Sequence, residues 1–485
     1  MSTEKKALYI IFGATGDLAS RKLYPALYRL YTKGYLKDHF AVIGTARREW
    51  SDDYYQNVVR EAIDGIKESD QDAEDFSAHF RYQSHNVKDS EHYHTLKELA
   101  DSLDEEYGIE GNRIFYLSMS PTFFGTITTH LKEQELVTEQ GFNRVIIEKP
   151  FGTDLESSKE LNDEINASFD EDQLYRIDHY LGKEMVQTIL ALRFSNRILQ
   201  DSWNPETLSS IQITLAEDLG VEERGEYYDK SGALRDMVQN HVLQIVSLLT
   251  MDEPESFSTD NVREKKLALL ESLKQPNVKE EFVRGQYAKS EDGNCKAYRA
   301  EEKVDPESMT ETFVAGKVVI DSDNWRNVPI FIRTGKRMKE KTSRIDVLWK
   351  KTDKQLFDEK DSMLTIHISP KEGFELQLND KEIGPGMTMR PVTLSSIRSD
   401  ETVKESPEAY EKLLLDVLNG DETHFAHWGE VAASWKYVDH IRKAWNEDLD
   451  SIPFYPAHSM GPKESDDLLA KDGQKWIYNP EDHNE

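Results

Sequence analysis

The stretch ALYIIFGATGDLAS, residues 7–20, constrains the fold more than any other part of the chain. Six residues, 7–12, run without a charge or a turn former, as in a strand buried on both faces. A glycine turn follows at once, and LASRKLYPALYRLY (18–31) then carries the apolar spacing of a helix. The pattern recurs. AVIGTA (41–46) and NRIFYLSM (112–119) read as strands, and 51–79 reads as acidic and helical. FFGTITTHLKEQEL (123–136) is a helix, NRVIIEKPFG (143–152) a strand running into a loop, and 153–169 a polar helix, after which Arg176–Asp178 opens the next element. Strands alternating with helices predict an α/β Rossmann-like, doubly wound parallel sheet over residues 1–178.

Past residue 180 the pattern changes. A helix over 183–194 and a strand over 209–217 precede a long apolar helix, 232–251. IFIRTG, RIDVLWK, MLTIHIS and FELQLN then succeed one another with few helices between, which predicts antiparallel pairing. Residues 179–485 are therefore expected to form a larger α+β domain with a mainly antiparallel sheet.

Charge limits the partners. The 485 residues hold 60 Lys and Arg against 91 Asp and Glu, a net −31. Such a field repels nucleic acid and anionic membrane, so neither is expected as a partner. No apolar run approaches the roughly 18 residues that would span a bilayer, and the N-terminus reads as a first strand, not a signal peptide. Cys295 is the only cysteine, so no intrachain disulfide forms and a cytoplasmic location is expected. An anionic ligand on such a body needs a local cluster of Lys, Arg and His.

GATGDLA (13–19) supplies one anion site: glycines let backbone approach a phosphate, and the helix start offers N–H groups. The spacing departs from G-x-G-x-x-G, and an ordinary βα turn would share it. The second strand sharpens the reading. An NAD site usually has an acid there for the ribose 2′-hydroxyl; this chain has Arg47 and Arg48, which favours the 2′-phosphate of NADP. A second cluster is LYRIDHYLGKE (174–184), in which Asp178, His179, Tyr180 and Lys183 stand among apolar neighbours just before a helix start. His241 lies in ALRDMVQNHVLQIVSLL on one face with Val238, Ile245 and Leu248, a pattern that equally suits a core histidine.

GATGDLASRKLYP, IGTARR, EKPFG, RIDHYLGKE, RDMVQNH and RTGK stand in an order and spacing that resemble the glucose-6-phosphate dehydrogenase family of bacterial type, from Ile11 to at least Trp435. RIDHYLGKE is the most specific of these. The resemblance implies oxidation of β-D-glucose 6-phosphate at C1 to 6-phospho-D-glucono-1,5-lactone, the first step of the oxidative pentose phosphate pathway. It implies NADP as hydride acceptor, with NAD also open. His241 then resembles the general base, its neutral imidazole suited to proton transfer near pH 7, with Asp178 as the carboxylate that orients it. His179, Tyr180 and Lys183 resemble the clamp on the 6-phosphate. Glu217 and Asp236 resemble acceptors for sugar hydroxyls, and Lys336 and Lys341 further sugar-binding lysines. Lys22 and Lys149 resemble cations between coenzyme and sugar. Gly13, Thr15, Gly16, Asp17, Leu18, Arg47, Arg48 and Pro121 match coenzyme positions. A homodimer through the second domain's sheet, or a homotetramer, is implied too.

Two departures stand out. LSMSP (117–121) carries one proline where many relatives have two, and Ser369 stands where several have glutamine, so no role is assigned to Ser369. No metal is expected: the acceptor is the coenzyme, and no Cys/His set has ligand spacing. A dinucleotide sensor would keep the glycine turn but has no need of Asp178, His241, Lys183 and Lys22 together.

Overall fold

The apolar run at the N-terminus is a strand at the centre of a parallel sheet. A computed structural model describes residues 4–290, 293–354, 356–448 and 452–480. Its strands in the first half are β1 (Ala7–Phe12), β2 (Phe40–Ala46), β3 (Phe80–Ser84), β4 (Arg113–Leu117), β5 (Asn143–Ile147) and β6 (Leu174–Arg176). They form one sheet in the order β3-β2-β1-β4-β5-β6, every pair parallel. Every residue of β1 and β4 is buried, as the apolar runs ALYIIF and IFYL predict, and Arg113 at the start of β4 is buried too.

The acidic stretch 51–79 divides into two helices, Asp52–Ile63 and Asp70–Ser77, because Ser51 and Ser69 each cap a helix start. The Ser51 hydroxyl accepts the Tyr54 N–H and the Ser69 hydroxyl the Asp72 N–H. Strand β3 and the helix Ser90–Tyr107 after it escape the sequence reading. The helix 18–31 begins with a wide π-type turn, Ala19–Leu23, before the regular helix Tyr24–Thr32.

One compact unit comprises residues up to Gly182 with Phe257–Arg263 and Pro407–Ala432. The returning segment belongs to it because helix Ala409–Asn419 packs on Tyr24–Thr32 and buries Leu413, Leu414, Val417 and Leu418 in the same core as Tyr24, Tyr28 and Phe76.

The other unit comprises Lys183–Ser256, Glu264–Ser406 and the described residues from Ala433 on. Its strands are β7 (Leu208–Ala216), β8 (Phe282–Ala288), β9 (Phe313–Val318), β10 (Ile330–Gly335), β11 (Thr342–Trp349), β12 (Met363–Ser369), β13 (Gly373–Lys381), β14 (Met389–Ile397) and β15 (Phe454–Pro456). The order is β14-β13-β12-β11-β7-β10-β9-β8-β15. Most neighbours are antiparallel; β7 with β10 and β8 with β15 are parallel. The expected helix 232–251 is interrupted. Gly232 (φ 71°, ψ 169°) breaks it, Leu234–Val242 winds as a π-helix, and Leu243–Thr250 resumes the α form. Among the described residues no helix is long and apolar enough to cross a membrane.

Candidate active site

In the first unit the glycine turn lies where the strand order reverses, between β1 and β4, the place at which such sheets take up nucleotides. Gly13 has φ 95°. A Cβ built there would stand 2.1 Å from the Ser118 carbonyl oxygen at the end of β4, so only glycine fits. The Gly13 N–H donates to the Thr45 carbonyl at the end of β2 (2.9 Å), and the Gly16 N–H closes the turn on Gly13 O (3.0 Å). Thr15, Gly16 and Leu18 are half-buried, and exposed Asp17 pairs with Arg21 at 2.8 Å.

Arg47 and Arg48 leave the end of β2 into solvent. The Arg48 guanidinium lies 5.8 Å from the Trp50 ring centre, and Arg47 has no carboxylate partner among the described residues. A backbone cradle without room for a Cβ and an uncommitted guanidinium two residues beyond Thr45 fit a phosphorylated dinucleotide. Pro121 opens a short 3₁₀ turn after β4.

Lys22 stands on the helix after the glycine turn, 3.4 Å from the Glu408 carboxylate, which Arg29 also holds at 3.1 Å. Lys149, half-buried, follows β5. Beside it Glu148 accepts hydroxyl hydrogen bonds from Tyr116 (2.5 Å) and Tyr410 (3.2 Å), and burial pushes its carboxyl above the usual range.

The motif RIDHYLGKE is split by a turn. Strand β6 ends at Arg176, whose buried guanidinium binds Glu171 (2.6 Å) and Asn162 (2.7 Å). An extended run through 179 would point Asp178 and His179 to opposite sides. Instead Asp178, 4% exposed, accepts the Tyr180 N–H through Oδ1 at 2.9 Å, an Asx turn that starts the loop. Asp178 is thus fixed by backbone, while half-buried His179 lies 5.0 Å from the buried Tyr180 ring.

In the second unit Lys183 is the residue just before helix Glu184–Ser195, and its carbonyl accepts the Val186 N–H at 3.0 Å. Glu217 follows β7, and its carboxylate takes a 2.7 Å ion pair from Lys336, which follows β10. The register explains the meeting: Ala216 pairs with Gly335 on one side and with Thr342 on the other. Exposed Lys341 therefore enters the same sheet end, just before Thr342. Asp236 and His241 both belong to the π-helical segment; His241 is fully buried and Asp236 half-buried.

Sequence reasoning missed Tyr228. Its ring lies 5.0 Å beneath Lys336 Nζ, and burial followed by the charges of Asp236 and Glu217 pushes its hydroxyl well above its ordinary range. It missed Glu148 and Glu408 as well. Glu148 is adjacent to Lys149 in EKPFG, a usable signal, but nothing near Tyr410 in sequence announces their contact across 262 positions.

A doubly wound domain with a glycine turn at its switch point, joined to a unit that gathers carboxylates and lysines at one sheet end, defines a nucleotide-dependent oxidoreductase. Residues 10–188 match the model of the glucose-6-phosphate dehydrogenase NAD-binding domain and 190–477 that of the C-terminal domain. The chain belongs to the glucose-6-phosphate dehydrogenase family. It is 52% identical to the glucose-6-phosphate 1-dehydrogenase of Streptococcus pneumoniae serotype 4, over 98% of this chain and 97% of that one. It is 48% identical to that of Bacillus subtilis, over 98% of each. A solved glucose-6-phosphate dehydrogenase in complex with its substrate glucose-6-phosphate is similar at TM-score 0.91 and 34% identity, over 99% of this chain and 100% of that one.

Proposed function

We propose that this protein oxidises β-D-glucose 6-phosphate at C1 to 6-phospho-D-glucono-1,5-lactone, with NADP as the acceptor and NAD open as a second one. The observation that carries the reading is the near-complete match, in sequence and in fold, to dehydrogenases of this substrate. Residues 1–178 would hold the coenzyme and 179–485 the sugar.

His241 takes the proton of the C1 hydroxyl as the C1–H bond breaks and C1=O forms. Asp178 fixes the imidazole tautomer and stabilises the imidazolium; its anchoring by the Tyr180 N–H supports that role. When bound, the nicotinamide accepts the hydride. Glu217 and Asp236 accept sugar hydroxyls, Lys336 and Lys341 bind the sugar, and His179, Tyr180 and Lys183 hold the 6-phosphate. Lys22 and Lys149 balance the charge between the two ligands. Gly13, Thr15, Gly16, Asp17, Leu18 and Pro121 line the coenzyme backbone, and Arg47 with Arg48 reads the 2′-phosphate.

A homodimer through the second domain's sheet, with pairing into a homotetramer open, is supported by exposed Leu378 and Leu394 on β13 and β14 and by exposed Ile383 and Met387 between them. The single cysteine supports a cytoplasmic location. The deciding test is absorbance of reduced coenzyme with glucose 6-phosphate and NADP. No turnover with any sugar phosphate would overturn the reading, and a strong preference for another sugar phosphate would change the substrate.

A further inference from the structure

We infer that Glu311 is a positioning residue: its buried carboxylate caps the π-helical segment Leu234–Val242 and thereby sets where Asp236 and His241 stand. The inference rests on the proposed role of His241 as base.

The segment needs outside support. A π-helix inserts an extra residue into each turn and is rare beyond single turns. Here the Leu243 N–H reaches back five residues to Val238 O, and the Asn240 side-chain amide bonds Arg235 O at 3.0 Å. Its start is worse placed, because the break at Gly232 leaves the first N–H groups without partners from a preceding helix.

Glu311 satisfies two of them. Its carbonyl accepts the Ala233 N–H at 2.9 Å, and its carboxylate Oε1 accepts the Leu234 N–H at 3.1 Å. The side chain is 3% exposed and lies where a negative end favours a helix N-terminus. Gly232 keeps the place open: a Cβ there would stand 2.3 Å from that same Oε1. The charge has company, since Arg442 and Arg235 act on it electrostatically against the burial that raises its pKa.

The next residue ties the cap to the rest of the site. The Thr312 carbonyl accepts the Lys336 N–H at 2.9 Å, and the Thr312 hydroxyl accepts the Tyr287 N–H at 2.9 Å. Two consecutive residues ahead of β9 therefore hold the start of the segment that carries Asp236 and His241 on one side and the backbone of Lys336 on the other.

The test compares Glu311→Ala with Glu311→Gln in the full chain. Alanine removes the acceptor; glutamine keeps an oxygen at the same reach. Misplacing a catalytic group by about 1 Å costs up to ~100-fold, so Glu311→Ala should lower kcat ~10- to 100-fold. It should raise KM for glucose 6-phosphate, leave KM for the coenzyme within about twofold, and speed amide hydrogen exchange across 233–242. Glu311→Gln should return all of these close to wild type. A folded Glu311→Ala with wild-type kcat overturns the inference. So do equal losses in both variants with both KM values rising together. If the alanine variant does not fold, Glu311→Asp withdraws the carboxylate by one methylene and keeps its charge; wild-type kcat with unchanged exchange there has the same force. Retained turnover in His241→Asn sinks the reading of His241 as base, whereas its collapse beside an unaffected Glu311→Ala sinks only this inference.

Discussion

The two sheets present their proposed site residues in opposite ways. In the parallel sheet all strands point the same way, so the loops after β1, β2, β4 and β5 meet at one edge and each carries its contribution within a few residues: Gly13 and Gly16, Arg47, Pro121, Lys149. In the nine-stranded sheet most neighbours run in opposite directions, but β7 and β10 are parallel and end together, with β11 beginning beside them. Glu217 meets Lys336 and Lys341 there across more than a hundred residues of chain, and Asp236 and His241 come from an interrupted helix. Burial differs too. The strands β1 and β4 are closed on both faces, whereas β14 leaves most of its residues exposed and β13 fully buries only Gly373. A parallel sheet writes its site into short local motifs; a mixed sheet assembles one from distant parts.

The sharpest break of this contrast lies in the second unit. His241→Asn should lower turnover ~100-fold or more, the usual scale for a positioned base, while glucose 6-phosphate still binds. Near-normal turnover would make His241 a core residue and leave the mixed sheet's end without a reaction.

The next largest effect belongs to the first unit. His85, 2% exposed beside Phe12 and Tyr93, has neither ring nitrogen hydrogen-bonded among the described residues. Burial, followed by the nearby charges of His92 and His130 and opposed by Asp89, holds its pKa down to about 4 against an ordinary 6.5. Above pH 6.5 both folded and unfolded chains carry it neutral. Between 6.5 and about 4 only the unfolded chain takes the proton, so stability falls with acid by about 3 kcal/mol and levels off below. His85→Phe should flatten that loss in unfolding measured at pH 7 and pH 4.5. An unchanged acid loss in the variant would move the cause elsewhere.

The same contrast explains what the sequence made readable. Gly13 was legible because its turn, strand and helix are contiguous, and the structure adds a physical reason in the Ser118 carbonyl. Strand β3 was not, because FRYQS lies at the sheet edge and mixes buried Phe80 and Tyr82 with half-buried polar residues, whereas β1 is apolar throughout. The 232–251 stretch read as one helix since apolar spacing hardly separates 3.6 from a local π winding; Gly232 was the only warning. The meeting of Glu217 with Lys336 depends on sheet register, which no local pattern encodes. Those positions were reached through family resemblance alone.

Arg47→Ala with Arg48→Ala sharpens the first-unit side. Losing a charged hydrogen bond costs about 1.5–3 kcal/mol, so NADP should weaken ~10- to 100-fold while NAD changes little. Comparable losses of kcat/KM for both coenzymes would mean that these arginines do not read the 2′-phosphate.

The smallest effect tests the residue that begins the second unit. Lys183 stands immediately before helix Glu184–Ser195, where the N–H ends and an ammonium would both favour an anion. On a body of charge −31, attraction must come from groups close to the phosphate, since charges beyond roughly 10 Å are largely screened at ordinary salt. Lys183→Ala should raise KM for glucose 6-phosphate about tenfold, equivalent to ~1.4 kcal/mol. Free glucose has no phosphate to lose, so its kcat/KM should fall far less. Lys183→Arg need not rescue the loss, because a planar fork does not reproduce a compact ammonium. The measurement is kcat/KM for both sugars in wild type and Lys183→Ala. Equal penalties would show Lys183 serving the helix start alone, and the phosphate grip would then rest on His179 and Tyr180, within the motif legible from the first unit.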